Sequence, residues 1–339
     1  MLKVGIVGVG YWGPNLVRNF NSLTNCQVEM ICDLDPSNLG NILKLYPEVK
    51  TTENFDELID SGVNAIVIAT PTATHFGLAK KALMKGIHVF VEKPLTVESD
   101  ESQELIELAE SRGLTLFVGH IFLHSAPVKK LRELIASGEL GNIHYISCKR
   151  LNLGPVRSDV SSLYDLATHD ISIVLHLLGV QPMSVSCQGL DHLKKGIHDV
   201  VNLTMNFPGN RMGMVHCSWL DPRKERLITV VGDKKMAIYD DLSQEKIRVY
   251  DKGVNKHSKS GDLADFQLSY RHGDMYSPWI DQQEPLRTEC SDFIECIRTS
   301  QTPKTDGQNG LAVVEVLEAA NESLQLAGAP VAIESRIVV

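Results

Sequence analysis

Three groups of residues have the types and spacing to do chemistry. The first is Gly8, Gly10 and Gly13, a G-x-G-x-x-G set after the apolar run Val4, Ile6, Val7 and before residues 14–20 (PNLVRNF). In that heptapeptide Leu16, Val17 and Phe20 fall at helical spacing, and Pro14 is tolerated in a first helical turn. A strand, a glycine turn and a helix suit a dinucleotide. Gly8 permits the tight turn, Gly10 lets the main chain approach a pyrophosphate, and Gly13 lets the helix pack closely on the strand. The pyrophosphate would rest on the helix's unpaired N–H groups and positive dipole end. Tyr11 and Trp12, between the glycines, could cover it or pack against a second domain. Asp33 lies 20 residues after Gly13, where such a loop needs an acid for the ribose hydroxyls. Leu34, Asp35 and Pro36 follow, with no arginine for a 2′-phosphate, so NAD is expected rather than NADP. Asp-Leu-Asp-Pro is equally good turn chemistry.

The second group is Asp165 and His169 in YDLATHD (164–170). Four residues apart on a helix, they share one face. A histidine can take a hydroxyl proton near neutral pH, and a nearby carboxylate can orient it. An Asp cap beside a structurally satisfied histidine would look the same. The third group is Arg150, Asn152 and Arg157. The arginines could hold a carboxylate or phosphate bidentately, and Asn152 a hydroxyl or acetamido group. Ordinary surface charge explains any one of them equally well. His120 and His124 are four apart with no third ligand in view, so no metal is expected; His120 ends a strand-like run and is placed near a nicotinamide.

The elements that must carry these residues alternate. Apolar runs at 4–7, 27–32, 65–69, 89–91 and 114–118 read as strands, with helical patterns at 14–20, 54–61, 77–85 and 104–111 between them. That alternation calls for a doubly wound parallel sheet, an α/β unit. Each strand ends in polar or conformationally special residues: Gly8, Asp33, Thr70, Glu92-Lys93-Pro94, Gly119-His120. Ligands in such sheets bind at the carboxyl ends of the strands. After Gly119 the pattern changes to strand candidates at 142–151, 183–189, 199–206, 212–219, 225–231 and 235–240 with short turns, which implies mostly antiparallel pairing in an α+β unit. Helices are expected at 126–137, 164–178, 286–298 and 310–326, and a long loop or insertion near the substrate at 253–277. The boundary is placed so that 1–121 form one domain and 122–339 the other.

Composition limits the partners. A net charge of −9 and a sequence pI near 5.7 argue against general nucleic-acid or anionic-membrane binding. No run reaches the length of a membrane span, and no signal peptide is read at the start. Seven scattered cysteines without C-x-x-C suit a reducing cytoplasm.

GVGYWG (8–13), IATPTATH (68–75) and VEKPL (91–95) together resemble the Gfo/Idh/MocA family of NAD(P)-dependent sugar oxidoreductases, over essentially the whole chain. The resemblance implies that Lys93 is catalytic, that the Lys93–Pro94 bond is a cis candidate, and that Glu92, Pro94, Thr70, Pro71, Thr72 and His75 border the cofactor. It also implies that Tyr164, Asp165 and His169 line a substrate pocket opposite the nicotinamide, with the strand of Arg150, Asn152 and Arg157 bordering the sugar. The second domain's open sheet is expected to form a homodimer or homotetramer. GVGYWGPNLVRNF, RLNLG (150–154) and EPLRTECSDFIECI (284–297) look like the subgroup acting on nucleotide-linked sugars. Its members oxidise the 3-hydroxyl of UDP-N-acetylglucosamine or a related UDP-sugar to a 3-keto sugar for an aminotransferase, in lipid A or surface polysaccharide assembly. A free-polyol dehydrogenase for inositol or glucose, and a non-catalytic NAD-binding regulator, are the alternatives; the second would tend to lack Lys93 or the Asp165/His169 pair.

Overall fold

The computed structural model describes residues 1–258, 266–281 and 283–333. The chain divides into two units, one of residues 1–125 and 283–318, the other of residues 126–282 and the stretch from 319 onward.

In the first unit β1 (Leu2–Val7), α1 (Gly13–Asn21), β2 (Cys26–Cys32), α2 (Pro36–Leu45), β3 (Lys50–Thr52), α3 (Phe55–Asp60), β4 (Ala65–Ile68), α4 (His75–Met84), β5 (His88–Glu92), α5 (Ser99–Ser111) and β6 (Leu116–Gly119) alternate as expected. The six strands pair in parallel in the order β3-β2-β1-β4-β5-β6. Val4, Ile6, Ile66, Val67, Val89 and Phe90 are fully buried, as strands covered on both faces require. The strand order reverses between β1 and β4, so a crevice opens at their carboxyl ends. Two elements escape the apolar pattern: α2, capped by the Asp35 side chain on the Ser37 N–H, and the three-residue β3.

In the second unit α6 (Ala126–Ala136) and β7 (Ile143–Leu153) precede a π-helical turn (Leu163–Ala167) that runs into α7 (Thr168–Leu178). Then come β8 (Ser184–Leu190), β9 (Val200–Phe207), β10 (Arg211–Ser218), β11 (Leu220–Gly232), β12 (Met236–Asp240), β13 (Ile247–Ser258) and β14 (Phe266–Tyr276). With β15 (Val331–Ala332), defined last in the chain, they form one sheet in the order β14-β13-β12-β11-β7-β10-β9-β8-β15. Every pairing is antiparallel except β10 with β7, so the sheet is mixed. Helix α7 lies against it so closely that a Cβ on Gly213 would meet Val174 at 2.8 Å.

Two expectations are corrected. Most of 253–277 is the β13–β14 ladder, not a loop; 259–265 lie outside the described residues. Its strands are polar, and cross-strand bonds from Arg271 to Asp251 (2.7 Å) and Asn255 (2.7 Å) replace the apolar alternation that sequence patterns detect. The boundary at 121/122 also gives way. Helix α8 (Pro285–Thr299) and the start of α9 (Gly307–Gln325) belong to the first unit. The physical reason is an aromatic cluster in which Phe293 packs on Phe20, Phe90 and Phe117, with ring centroids 5.5–6.3 Å apart. Residue 306 also bridges to Phe117 beside β6. Among the described residues no helix is long and apolar enough to cross a membrane.

Candidate active site

In the first unit the candidate residues gather at the carboxyl ends of β1, β2, β4, β5 and β6. Gly8 has φ +87°, and a Cβ there would lie 2.7 Å from the Ala69 carbonyl oxygen. A Cβ on Gly13 would lie 2.2 Å from the Gly8 oxygen, so only glycine lets α1 come this close to β1. Around Gly10 nothing lies within 4 Å of that position. No side chain caps the N-terminus of α1. A tight, open loop beneath an uncapped helix end fits a pyrophosphate. Asp33 accepts hydrogen bonds from the Val9 N–H (2.7 Å), the Asp35 N–H (2.9 Å) and the Asn38 amide (3.2 Å). A carboxylate offers about four acceptor positions, so room is left for a ribose hydroxyl. Tyr11 is 95% exposed and Trp12 is 36% exposed.

At the end of β4 the Thr70 and Thr74 hydroxyls bond each other (2.7 Å), and Thr74 donates to the Pro71 oxygen (2.8 Å), so the loop through Thr72 braces itself. His75 is buried. Its Nδ1 lies 2.9 Å from the Pro94 oxygen and its Nε2 2.9 Å from the Thr70 oxygen. The expectation that His75 touches the cofactor is therefore corrected: both ring nitrogens face main-chain carbonyls. Burial holds its pKa below the ordinary histidine value, against the pull of those carbonyls. The Lys93–Pro94 bond is cis. Glu92, half-buried, accepts from the Trp12 indole N–H (2.8 Å) and from the Lys93 N–H (3.3 Å). Desolvation pushes its pKa up to about 7, although Lys93 pulls the other way. His120 is buried, and burial with the nearby Lys93 charge lowers it to about 3.

In the second unit Asp165 sits on the π-helical turn, a distortion common at functional positions, and His169 is the second residue of α7. Asp165 accepts from the Trp219 indole N–H (3.2 Å), and Arg157 approaches it at 3.6 Å. Tyr164, Asp165 and His169 are half-buried. Exposed Arg157 also bonds Asp159, which raises its pKa and lowers that of Asp159. Asn152 occupies the space a side chain at 154 would need: a Cβ on Gly154 would lie 1.8 Å from its amide nitrogen. Arg150 is corrected. Its guanidinium grips Asp170 through Nε (2.7 Å) and Nη2 (3.0 Å), both side chains buried. Burial opposes that charge, and Asp170 more than offsets it, raising the arginine's pKa. Arg150 therefore braces the residue after His169 instead of presenting its fork to a ligand. Sequence reasoning missed Trp219, Asp170 and the buried Glu289 of α8.

Residues 2–120 match the model described as "Oxidoreductase family, NAD-binding Rossmann fold", and residues 128–238 match the GFO/IDH/MocA C-terminal domain. The chain belongs to the Gfo/Idh/MocA oxidoreductase family. Residues 2–120, which carry the glycine loop and Asp33, are therefore an NAD-binding Rossmann domain of an oxidoreductase. UDP-N-acetylglucosamine 3-dehydrogenase of Acidithiobacillus ferrooxidans is 24% identical over 92% of this chain and 94% of its own. Its crystal structure superimposes with a TM-score of 0.81, covering 96% of this chain and 98% of that one, at 22% identity. The NAD(+)-dependent scyllo-inositol 2-dehydrogenase of Bacillus subtilis is 26% identical over 96% of this chain and 94% of its own. GenD2 from gentamicin A biosynthesis, solved with NAD, has a TM-score of 0.82 at 22% identity, covering 98% and 97%.

Proposed function

We propose that this oxidoreductase oxidises a secondary alcohol of a nucleotide-linked sugar, the 3-hydroxyl of UDP-N-acetylglucosamine or a related UDP-sugar, the carbon losing hydride and its hydroxyl a proton to give the 3-keto sugar. The observation that carries the reading is the complete Glu92-Lys93-Pro94 turn at the end of β5 in the NAD-binding unit. NAD, when bound, accepts the hydride. Lys93 donates a hydrogen bond to the substrate oxygen and stabilises its developing negative charge. His169 takes the hydroxyl proton, with Asp165 orienting the substrate. Similarity to the UDP-N-acetylglucosamine 3-dehydrogenase supports the nucleotide sugar. The comparable identity of the scyllo-inositol enzyme favours a second reading, a free-polyol dehydrogenase. The product would serve an aminotransferase in lipid A or surface polysaccharide assembly. Seven unpaired thiols support work in a reducing cytoplasm, and we place the chain there as a homodimer or homotetramer.

The test is a screen of UDP-sugars and free polyols for NADH formation, with an aminotransferase coupled to draw the oxidation forward. Turnover of a UDP-N-acetylhexosamine and not of polyols supports the first reading; the reverse supports the second. Lys93→Ala and His169→Ala should each lower kcat by about 100-fold or more. Turnover unchanged in both would remove them from the mechanism, and no turnover of any candidate by the parent, with NADH still bound, would favour NAD binding without catalysis.

A further inference from the structure

Two buried polar side chains of the first unit stand near Glu92. Among the described residues both ring nitrogens of His120 and both carboxyl oxygens of Glu289 are buried without a hydrogen-bond partner. Glu289 lies on α8 with no exposed surface, and His120 follows Gly119, which pairs with Glu92 across the β5–β6 ladder. The fit around Glu92 is close: a Cβ on Gly119 would lie 3.0 Å from its Oε2. One oxygen of Glu92 holds the Trp12 indole and the other faces the Lys93 N–H. Glu92 thus spans the glycine loop and the Lys93 turn.

We propose that Glu92 is a positioning residue for Lys93: its carboxyl latches the indole of Trp12 to the main chain at Lys93, and the latch loosens when that carboxyl takes up a proton. The proposal rests on the reading that Lys93 acts on substrate. The physical argument starts from charge. A carboxylate accepts from an N–H about twice as strongly as a neutral carbonyl does, so protonation weakens both bonds. It also removes the negative charge nearest the Lys93 ammonium, which then becomes easier to deprotonate. The groups facing Glu92 are Lys93 on its own turn and Glu289 and Cys290 from α8. His120 faces Lys93 and His124, and Asp292 faces Glu289. Burial, then the charges of Glu92 and Asp292, pushes Glu289 well above the ordinary glutamate range, so it stays neutral and leaves one negative charge in the pair. Glu92 itself titrates near neutrality, with its pKa raised to about 7.

The experiment needs neither substrate nor NAD. Trp12, Trp219 and Trp279 are the three tryptophans, and the emission of Trp12 is isolated by subtracting the spectrum of Trp12→Phe. That difference emission should change with a midpoint near 7 as the apoprotein is titrated from about pH 5.5 to about pH 8.5. Glu92→Gln should abolish the transition. Glu289→Gln, which keeps shape and neutrality, should move the midpoint by less than about half a unit. A transition that persists in Glu92→Gln, or none in the parent, overturns the latch. A midpoint lowered by about a unit or more in Glu289→Gln overturns the single shared charge, because it would mean Glu289 was ionised. A normal transition in a protein that turns over no sugar would leave the latch standing and count against the dehydrogenase reading alone.

Discussion

Arg150→Met tests whether the buried ion pair behind His169 is structural. The guanidinium and the Asp170 carboxylate meet through two hydrogen bonds of 2.7 and 3.0 Å, with side-chain exposures of 7% and 2%. Removing the cation leaves Asp170 charged, with Cys217 Sγ, 4.0 Å away, as a weak substitute. Breaking a buried pair from one side costs about 3–5 kcal/mol. For a unit of this size each kilocalorie lowers Tm by about 2–4 °C, so the melting transition should fall by about 6–20 °C. Arg150→Met with Asp170→Leu should recover most of that loss, since an apolar pair of similar volume is often neutral against a buried ion pair. The assay is thermal unfolding followed by circular dichroism, with the double-mutant cycle giving the coupling. If Arg150→Met costs less than about 1 kcal/mol, the pair does not hold a buried charge and the arginine returns to the candidate ligand contacts.

The glycine loop makes a sharper demand. Gly13→Ala places a methyl 2.2 Å from the Gly8 oxygen, which α1 can relieve only by backing away from β1; NADH affinity should fall by about 10-fold or more in a fluorescence titration. His75→Ala leaves the Pro94 and Thr70 carbonyls without the ring, and a stability loss of about 1–3 kcal/mol is expected in denaturant unfolding, with NADH binding weakened as well. His120 gives a pH signature. Its folded pKa of about 3 lies below the ordinary value of 6.5, so the unfolded state binds the extra proton between them and stability falls as pH drops through that window. Glu92 works the other way, its raised pKa favouring the folded state as pH falls from about 7. The stability difference between the parent and His120→Asn should therefore be read, and it should shift against the parent by about 1.4 kcal/mol per unit below pH 6.5.

The NAD-binding unit was legible because its signals are local. Glycine spacing, the acid at 33 and the strand–helix alternation are fixed within short stretches, and the strand ends that carry Thr70, Lys93 and His120 follow from them. What was not legible depends on pairs far apart in sequence. Phe293 joins Phe20 and Phe90 across more than 200 residues, so the return of α8 to the first unit carries no local sign. The β13–β14 ladder is held by polar cross-strand bonds, and a polar strand reads as a loop. A three-residue strand such as β3 is shorter than any periodicity test can register.

The misassigned and the missed residues share a pattern that the sequence did contain. Arg150 continues the inward alternation of Ile146 and Cys148 on β7. Glu289 falls in the apolar stripe of Leu286, Cys290, Phe293 and Ile294 on α8. His75 starts the stripe of Ala79, Ala82 and Leu83 on α4. A polar side chain at a position whose period points into the core must find a partner there, keep a proton or lose one, because an unpaired buried charge is too costly. Arg150 has Asp170, His75 has two carbonyls, and Glu289 keeps its proton. Type and spacing nominate Arg150 as a ligand contact and the family resemblance nominates His75, while Glu289 attracts no notice. Adding the core-facing period separates them from Lys93, Asp165 and His169, which are half-buried with surface left for a ligand. Polar residues in phase with the core tune a site from behind, and those out of phase are the ones that can touch substrate.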